Sequence, residues 1–178
     1  MTQAPPALQI AFRPLVAGDM STLHDWLCRP HVSQWWGPAP SLRDVENDYL
    51  PMTGAGSTNR GYIALLDGQA LGFIQSYVVL GSEEGWWQDE VDPGARGIDQ
   101  FLANAGQLGQ GLGSEMVRLF VDALFRDPSV TKVQTDPSPE NHRAIRSYLR
   151  AGFLPHGEVV TPDGPALLML RYRRSQQV

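Results

Sequence analysis

Apolar and polar positions along the chain change their spacing several times, and the first spacings predict strands. Near alternation at the N-terminus predicts a first strand through Leu8, Ile10, Phe12 and Leu15. Residues 61–66 and 70–80 are two apolar runs of strand-forming residues, and Asp67-Gly68-Gln69 separates them. Asp-Gly between two such runs is typical of a hairpin turn. The sequence therefore predicts a strand followed by a β-hairpin.

Two short helices are predicted between the first strand and the hairpin. Asp19 or Ser21 can cap a helix that includes Leu23, Trp26 and Leu27 and stops at Arg29-Pro30. Ser41 to Asp44 resembles a capping arrangement, and the helix that it opens ends at Pro51. Residues 52–60, rich in glycine and small polar residues, are predicted to be a flexible loop.

The second half of the chain alternates between predicted strands and helices. Strands are expected at 97–103 and 131–135, and two more flank the turn at 162–165. A helix over 111–126 follows from apolar residues at helical spacing, namely Leu112, Met116, Leu119, Phe120 and Ala123. Another helix is predicted over 139–151, with Gly152 just past its end. Without repeats or linkers, this order predicts one mixed α/β domain over residues 1–178.

Composition and charge narrow the function classes. A net charge of −5 and a pI near 5.3 disfavour a nucleic-acid partner and suit a cationic small molecule, although mild acidity is also common in soluble proteins. Cys28 is the only cysteine, which excludes an intrachain disulfide and a cysteine-based metal cluster. Residues 1–10 lack the features of a signal peptide, and no apolar run could span a membrane. We therefore expect a cytoplasmic protein with no metal and no membrane partner, as a monomer or homodimer.

A glycine-rich turn opens the helix at 111–126. Its residues are Leu108, Gly109, Gln110, Gly111, Leu112, Gly113 and Ser114. A helix start has about four unpaired amides and a partial positive charge, and glycines let the backbone approach an anion. The turn could also be only a tight connection. A P-loop is excluded because Glu115 stands where Gly-Lys-Ser/Thr would end, and the position past mid-chain disfavours a dinucleotide fold.

The predicted helix at 139–151 places three notable residues on one face. Asn141, Ala144 and Tyr148 are spaced by three and four residues, which approximates the helical period. A tyrosine hydroxyl, with an ordinary pKa near 10, is suited to protonate a departing thiolate, and the alternative role of Tyr148 is a core anchor.

These two segments resemble the GNAT acetyltransferase superfamily, through Leu108 to Ser114 and then Asn141-x-x-Ala144-x-x-x-Tyr148-x-x-Ala151-Gly152-Phe153. Several blocks over residues 10–172 are similar to the aminoglycoside 6′-N-acetyltransferases: Trp35-Trp36-Gly37, Gly85-Trp86-Trp87, Asp92 to Gln100, Leu102 to Ala105, Gln134 to Pro139 and Thr161 to Ala166. The resemblance implies a mostly antiparallel, splayed sheet flanked by helices. It also implies acetyl-CoA as the donor, an aminoglycoside as the polycationic acceptor, and antibiotic resistance as the outcome.

The resemblance also implies roles for individual residues. Asp99 matches the proposed catalytic base, while a purely electrostatic contact to the amine is the alternative. Cofactor binding falls to residues 108–114 (Leu108, Gly109, Gln110, Gly111, Leu112, Gly113 and Ser114) and Asn141, and acid catalysis to Tyr148. Substrate contacts are expected from Trp86, Trp87, Asp99, Gln100, Asp136 and Asp163.

The chain departs from the superfamily pattern at the glycine-rich turn. Leu108 stands where the leading polar residue is usual, and Gln110 and Glu115 stand where many relatives have a basic residue. Arg143 and Arg146 are possible substitutes for the phosphate contact, although exposed helical arginines are usually only solvated. Phe101 also replaces a smaller side chain beside Asp99, which affects the expected specificity.

The remaining candidates receive structural interpretations or stay open. The carboxylates between residues 83 and 99 are opposed in that segment only by Arg96, and about half of them are expected to contact a ligand. Trp35-Trp36 is interpreted as a core or loop anchor, Cys28 as buried, and the histidines as surface or packing residues.

Two rival functions remain: acetylation of another amine, such as a polyamine or a siderophore-precursor lysine, and a non-catalytic acyl-CoA-binding module.

Overall fold

A seven-stranded sheet runs through the computed structural model, which describes residues 9–173. The strands are β1 (Ile10–Pro14), β2 (Asn59–Leu66), β3 (Gln69–Val78), β4 (Ala95–Leu102), β5 (Lys132–Thr135), β6 (Leu154–Thr161) and β7 (Gly164–Tyr172). Their order is β1-β2-β3-β4-β5-β7-β6, and every neighbouring pair is antiparallel except β4–β5. The mostly antiparallel sheet is confirmed. Leu8, at which the first strand was predicted to begin, lies outside the described residues. The same holds for most of residues 1–10, which were predicted not to be a signal peptide.

In the described part of the chain, five α-helices cover the two faces of the sheet. They are α1 (Met20–Leu27), α2 (Pro30–Trp36), α3 (Leu42–Tyr49), α4 (Leu112–Leu124) and α5 (His142–Arg150). One apolar cluster joins α1, α2 and α3 to Phe73 and Phe101, and another joins α4 and α5 to Ile74 and Ile98. Because neighbouring residues of a strand point to opposite faces, β3 and β4 supply both clusters. No helix in the range 9–173 is long and apolar enough to cross a membrane.

Local signals account for the hairpin and one helix start as predicted. Asp67 and Gly68 have φ angles of 49° and 82°, the left-handed conformation that a two-residue hairpin turn requires. Ser41 Oγ accepts a hydrogen bond from the Asp44 amide, and Asp44 in turn accepts from the Ser41 amide. This capping box starts α3, so that prediction is confirmed.

Three local predictions hold only in part. Asp19 occupies the N-cap position of α1, but its carboxylate makes no capping hydrogen bond, because it is held by Arg13 at 2.7 Å and by the Val16 amide at 3.0 Å. The α1 helix ends at Leu27, before Arg29-Pro30 as predicted, but Pro30 then begins a further helix, α2, which was not predicted. Proline suits the first position of a helix. The loop expected over 52–60 is partly ordered, with a 3₁₀ turn at Leu50–Thr53 and β2 beginning at Asn59.

The α5 helix begins later than predicted. Asn141 is its N-cap, and Asn141 Oδ1 accepts from the Ala144 amide at 3.1 Å. Gly152, with φ of 91°, follows the end of the helix as expected.

The sheet opens between β4 and β5. These two strands pair only from Ala95 to Gly97 on β4 and from Lys132 to Gln134 on β5. Beyond Gly97 the rest of β4 continues without a β5 partner. Asp99 and Gln100 therefore lie at the edge of a gap, with Thr135 and Asp136 across it.

Candidate active site

A large cavity fills the gap between β4 and β5, and its lining is acidic. Its volume is about 780 Å³. We call it the acidic cavity because Glu83, Asp99, Asp136 and Asp163 line it, and no lysine, arginine or histidine of the described chain does. Six aromatic residues also line it, namely Trp35, Trp36, Trp86, Trp87, Tyr77 and Tyr148. Carboxylates interleaved with aromatic faces suit a polycation.

Burial and mutual repulsion raise the pKa of two of these carboxyls. The pKa of Asp136 rises to about 8 because of burial and the charges of Asp99 and Asp163. Burial also raises the pKa of Asp99, against the opposing effect of a hydrogen bond from Gln75, and the charge of Asp163 adds to the rise. A cation bound among these carboxyls would stabilise their ionised forms and so lower their pKa values.

Asp99 is held by the neighbouring strand. It lies directly opposite Gln75 in the β3–β4 register, and Gln75 Nε2 donates a hydrogen bond to Asp99 Oδ2 at 2.8 Å. The side chain remains partly exposed to the acidic cavity. A carboxylate that accepts a hydrogen bond at one oxygen can still accept a proton, or bind an ammonium group, at its other oxygen.

Tyr148 reaches the acidic cavity from α5. Its side chain is only 4% exposed and packs edge-on against Phe153. Burial raises the pKa of Tyr148 above its ordinary value, and the charges of Asp99 and Asp136 raise it further, while Thr135 and Gln100 act in the opposite direction. The hydroxyl therefore stays protonated through the physiological range and is suited to donate.

A second cleft lies beside the acidic cavity. This glycine-turn cleft, of about 290 Å³, is lined by Leu108, Gly109, Gly111, Gly113 and Ser114, and by arginines of α5. Within residues 9–173, the backbone N–H groups from Gly109 to Ser114 donate to no acceptor. Unpaired amides at a helix start, with the helix dipole behind them, form an anion site.

Glycine is required at this turn by conformation. Gly109 and Gly111 have φ angles of 77° and 83°, which side chains rarely adopt, and Gly111 is the N-cap of α4. A Cβ at Gly113 would come within 3.3 Å of Ser147 Oγ, where α4 and α5 approach each other. The cleft and the acidic cavity share one wall, formed by Trp35, Trp36, Gln100, Asn141 and Ala144.

Comparison with known proteins identifies the family. The profile of the acetyltransferase (GNAT) domain matches residues 16–161. The aminoglycoside N(6′)-acetyltransferase type 1 of Klebsiella pneumoniae is 52% identical over 169 residues, which cover 93% of this chain and 84% of that protein. The chain belongs to the aminoglycoside N(6′)-acetyltransferases of the GNAT family.

Structures of this acetyltransferase family agree with that assignment. Aminoglycoside acetyltransferase AAC(6′)-Ib in complex with coenzyme A and kanamycin superposes with a TM-score of 0.88 at 53% identity, covering 93% of this chain and 95% of that one. A spermidine N-acetyltransferase from Vibrio cholerae, at 16% identity and a TM-score of 0.73, shares the fold. As an acetyltransferase of this family, the chain uses acetyl-CoA as its donor.

The glycine-turn cleft fits that donor. Coenzyme A carries a diphosphate, and the six consecutive amides of the turn that are unpaired within residues 9–173 would donate to its oxygens. No group of three or more His, Cys, Asp or Glu side chains in the described range could hold a metal ion.

The structure places the predicted site residues in three groups. Asp99, Asp136, Asp163, Trp86, Trp87 and Tyr148 line the acidic cavity, Gln100 and Asn141 border both spaces, and Leu108, Gly109, Gly111, Gly113 and Ser114 line the cleft. Gln110 and Leu112 turn their side chains away. Gln110 Nε2 donates to the Gly106 carbonyl at 2.6 Å, and Leu112 packs beside Leu71 and Met116. Their backbone amides belong to the run from Gly109 to Ser114 that donates to no acceptor within residues 9–173.

Two carboxylates of the tryptophan-bearing segment are structural. Glu90 forms an ion pair with Lys132 at 2.7 Å, which lowers the pKa of Glu90, so Arg96 is not the only cation that opposes the run. Asp92 accepts from Thr131 Oγ1 at 2.6 Å and from the Gly94 amide. Neither lines the acidic cavity. Their partners, at the start of β5 and just before it, could not be read from the local sequence.

Other residues correct the sequence interpretation. Trp35 is not a core anchor, because it is 41% exposed on α2 and lines both the cavity and the cleft. Trp36 is both an anchor and a lining residue, with Nε1 donating to the Tyr49 hydroxyl at 2.9 Å. Cys28 is exposed rather than buried, with Sγ 3.6 Å from His24 Nε2, and it lines neither space.

Two polar residues of β3 that were not predicted as site residues, Gln75 and Tyr77, also line the acidic cavity. Gln75 interrupts an apolar run, which is the one local signal for it. Tyr77 lies opposite Gly97, and a Cβ on that glycine would come 2.0 Å from the ring. Burial and the charges of Asp99 and Asp136 raise the pKa of Tyr77, so its hydroxyl enters the acidic cavity protonated.

Proposed function

We propose that the acidic cavity binds the aminoglycoside, that the glycine-turn cleft binds acetyl-CoA, and that the acetyl group passes directly to the 6′-amine. The opposite charges of two adjoining spaces support this proposal. Four carboxylates line the acidic cavity, whereas the cleft has three arginines and no carboxylate. Their common wall brings a cationic acceptor next to an anionic donor.

Acetyl-CoA, when bound, supplies an acetyl thioester whose sulfur departs as a thiolate. The amine is mostly an ammonium ion at neutral pH, and the carboxylates of the acidic cavity attract it in that form. It must lose a proton before it can act as a nucleophile.

Asp99 is the proposed proton acceptor, directly or through one water. Its raised pKa makes it a stronger base than an exposed aspartate, and the hydrogen bond from Gln75 orients it. Tyr148, protonated because it is buried, is the proposed donor to the thiolate. Cys28 lines neither space, which favours direct transfer over an acetylated cysteine.

The substrate contacts are also part of the proposal. Asp136, Asp163 and Gln100 would meet amino and hydroxyl groups of the sugar rings, and Trp86 and Trp87 would cover their apolar faces. In AAC(6′)-Ib, kanamycin, ribostamycin and paromomycin have been found as bound ligands. One chain supplies the lining of both spaces, which is compatible with a monomer or a homodimer. Because acetyl-CoA is a metabolite of the cell interior, we expect the enzyme to act in the cytoplasm.

A thiol-release assay with acetyl-CoA tests the proposal directly. The acceptors are kanamycin, tobramycin, amikacin, gentamicin and spermidine, together with neomycin and paromomycin, which differ in an amine or a hydroxyl at the 6′ position. We expect turnover with neomycin and kanamycin and at least a 100-fold lower kcat/KM with paromomycin and spermidine. Equal rates on neomycin and paromomycin would contradict 6′ transfer, and a preference for spermidine would contradict the acceptor class.

A further inference from the structure

We propose that three arginines along one face of α5, Arg143, Arg146 and Arg150, bind the 3′-phosphate of coenzyme A. The proposal deepens the proposed function and rests on its assignment of the glycine-turn cleft to the donor. We call these three residues the arginine stripe. They make the cleft selective for the 3′-phosphorylated cofactor.

The arginine stripe lies on one side of the helix. Spacings of three and four residues put its members on a common face, where the stripe extends for about 10 Å along the helix axis. All three line the glycine-turn cleft. Ser147, on the same face, places its Oγ 3.2 Å from Ser114 Oγ. This contact fixes the stripe beside the start of α4, where the unpaired amides lie.

The positive charges of the stripe are not used inside the protein. None of the three guanidinium groups forms an ion pair or a side-chain hydrogen bond with residues 9–173. By contrast, Arg118 on α4 pairs with Glu115 at 2.6 Å and Asp122 at 3.0 Å. Like charges at such spacings repel each other, so an uncompensated row beside an anion site favours an anionic ligand.

The glycine-rich turn itself supplies no side-chain cation. Gln110 is neutral and donates to the Gly106 carbonyl, and Glu115 is held by Arg118. The turn amides can bind a diphosphate, but they leave a separate dianionic monoester without a partner. Arginine binds such a group in a bidentate manner, and the stripe is the only arginine group that lines the cleft in the described chain.

Calorimetric binding of coenzyme A and 3′-dephospho-coenzyme A, without any aminoglycoside, tests the assignment. We expect the wild-type chain to bind coenzyme A at least tenfold more tightly than the dephosphorylated form. In Arg143→Gln/Arg146→Gln/Arg150→Gln, the two affinities should differ by less than threefold, and the single variants would divide the effect among the arginines. Arg43→Gln is the matched control, since Arg43 is exposed on α3 and lines neither space. It should keep the wild-type ratio.

The possible outcomes separate the two proposals. A triple variant that keeps the wild-type ratio, or that loses affinity for both forms equally, would overturn the 3′-phosphate assignment. No binding of coenzyme A to the wild-type chain would instead contradict the donor site of the proposed function. Circular dichroism of each variant establishes that it is folded.

Discussion

Gln75 Nε2 donates a hydrogen bond to Asp99 Oδ2 across the β3–β4 pair, at 2.8 Å. This bond favours the ionised carboxylate, whereas burial favours the protonated one. Asp99 is therefore balanced between two opposing effects. The residue that matters most for the proposed base is a neighbour on another strand.

Replacing Gln75 should change the pH dependence of the reaction. In Gln75→Met the hydrogen bond is lost, so we expect the pKa of Asp99 to rise further and the acidic limb of kcat/KM to move to higher pH by about one unit, which corresponds to about 1.4 kcal/mol. The profile is measured with kanamycin between pH 5 and 9. Gln69→Met, at the exposed start of β3, is the control. An unshifted acidic limb would argue against Asp99 as the titrating group.

Asp136 should make stability fall as the pH rises. Its pKa is about 8 in the folded protein against an ordinary 3.8, so between these values the folded form binds more protons than the unfolded form. The free energy of unfolding therefore falls as the pH rises from 3.8 to about 8. Asp136→Asn keeps a neutral side chain at every pH and should be more stable than wild type at pH 9 by roughly 2 kcal/mol. This is less than the full pKa shift of Asp136 would give, because the cavity is open to solvent.

Urea denaturation at pH 4 and pH 9 measures this effect. At pH 4 the two proteins should agree closely, because Asp136 is then protonated in the folded form. Asp89→Asn, an exposed carboxylate outside the acidic cavity, should show no gain at pH 9. A gain of the same size at both pH values would mean that packing, and not charge, is responsible.

Removing the Tyr148 hydroxyl should reduce turnover while cofactor binding is kept. In Tyr148→Phe the ring still packs against Phe153, but the proposed proton donor is gone. We expect kcat to fall by about 10²-fold and the calorimetric Kd for coenzyme A to stay within twofold. Tyr172→Phe, at a 60% exposed tyrosine, serves as the control. Full kcat in Tyr148→Phe would remove the acid assignment.

A methyl group at Gly97 should displace Tyr77. The added Cβ would lie 2.0 Å from Tyr77 Cζ, so the ring must leave its position over the strand. We expect Gly97→Ala to lose about 1–3 kcal/mol of stability and to raise the KM for kanamycin. Gly106→Ala, with no atom within 4 Å of its Cβ, should change stability by less than about 0.5 kcal/mol. A wild-type KM in Gly97→Ala would show that Tyr77 does not shape the acidic cavity.

Salt should weaken acceptor binding through screening. Raising the ionic strength from 0.05 to 0.5 M shortens the Debye length from roughly 14 to 4 Å, so the KM for kanamycin should rise several-fold. Asp163→Asn should show a smaller rise, since it removes one of the four carboxylates. A KM that is independent of salt would leave shape and hydrogen bonding as the basis of binding.

Most secondary structure and the conformation of the glycine-rich turn could be predicted because their signals are local. The capping box at Ser41, the Asp67-Gly68 turn and the glycines that begin α4 all act within a few residues. Alternating and helical spacing likewise predict strands and helices from neighbours in the chain. The error at Asp19 arose because its partner, Arg13, lies in the preceding strand.

The acidic cavity depends on contacts between distant segments. The local sequence does not distinguish Glu90 and Asp92 from Glu83 and Asp99. In the structure, Lys132 pairs with Glu90 and Thr131 donates to Asp92. Glu83 and Asp99, by contrast, line the acidic cavity. Gln75, Tyr77 and Trp35 enter the site only because β3 pairs with β4 and α2 packs over the same gap.

The sequence by itself determined most of the elements, the family resemblance and the glycine-rich turn, because each depends on short-range spacing. Tertiary structure decided which charges remain free. The parting of β4 from β5 leaves Asp99 and Asp136 without cations, and the Ser114–Ser147 contact places the arginine stripe beside the turn. Charge neutralisation is a property of three-dimensional neighbours, and such neighbours can be distant in the chain, as Glu90 and Lys132 are.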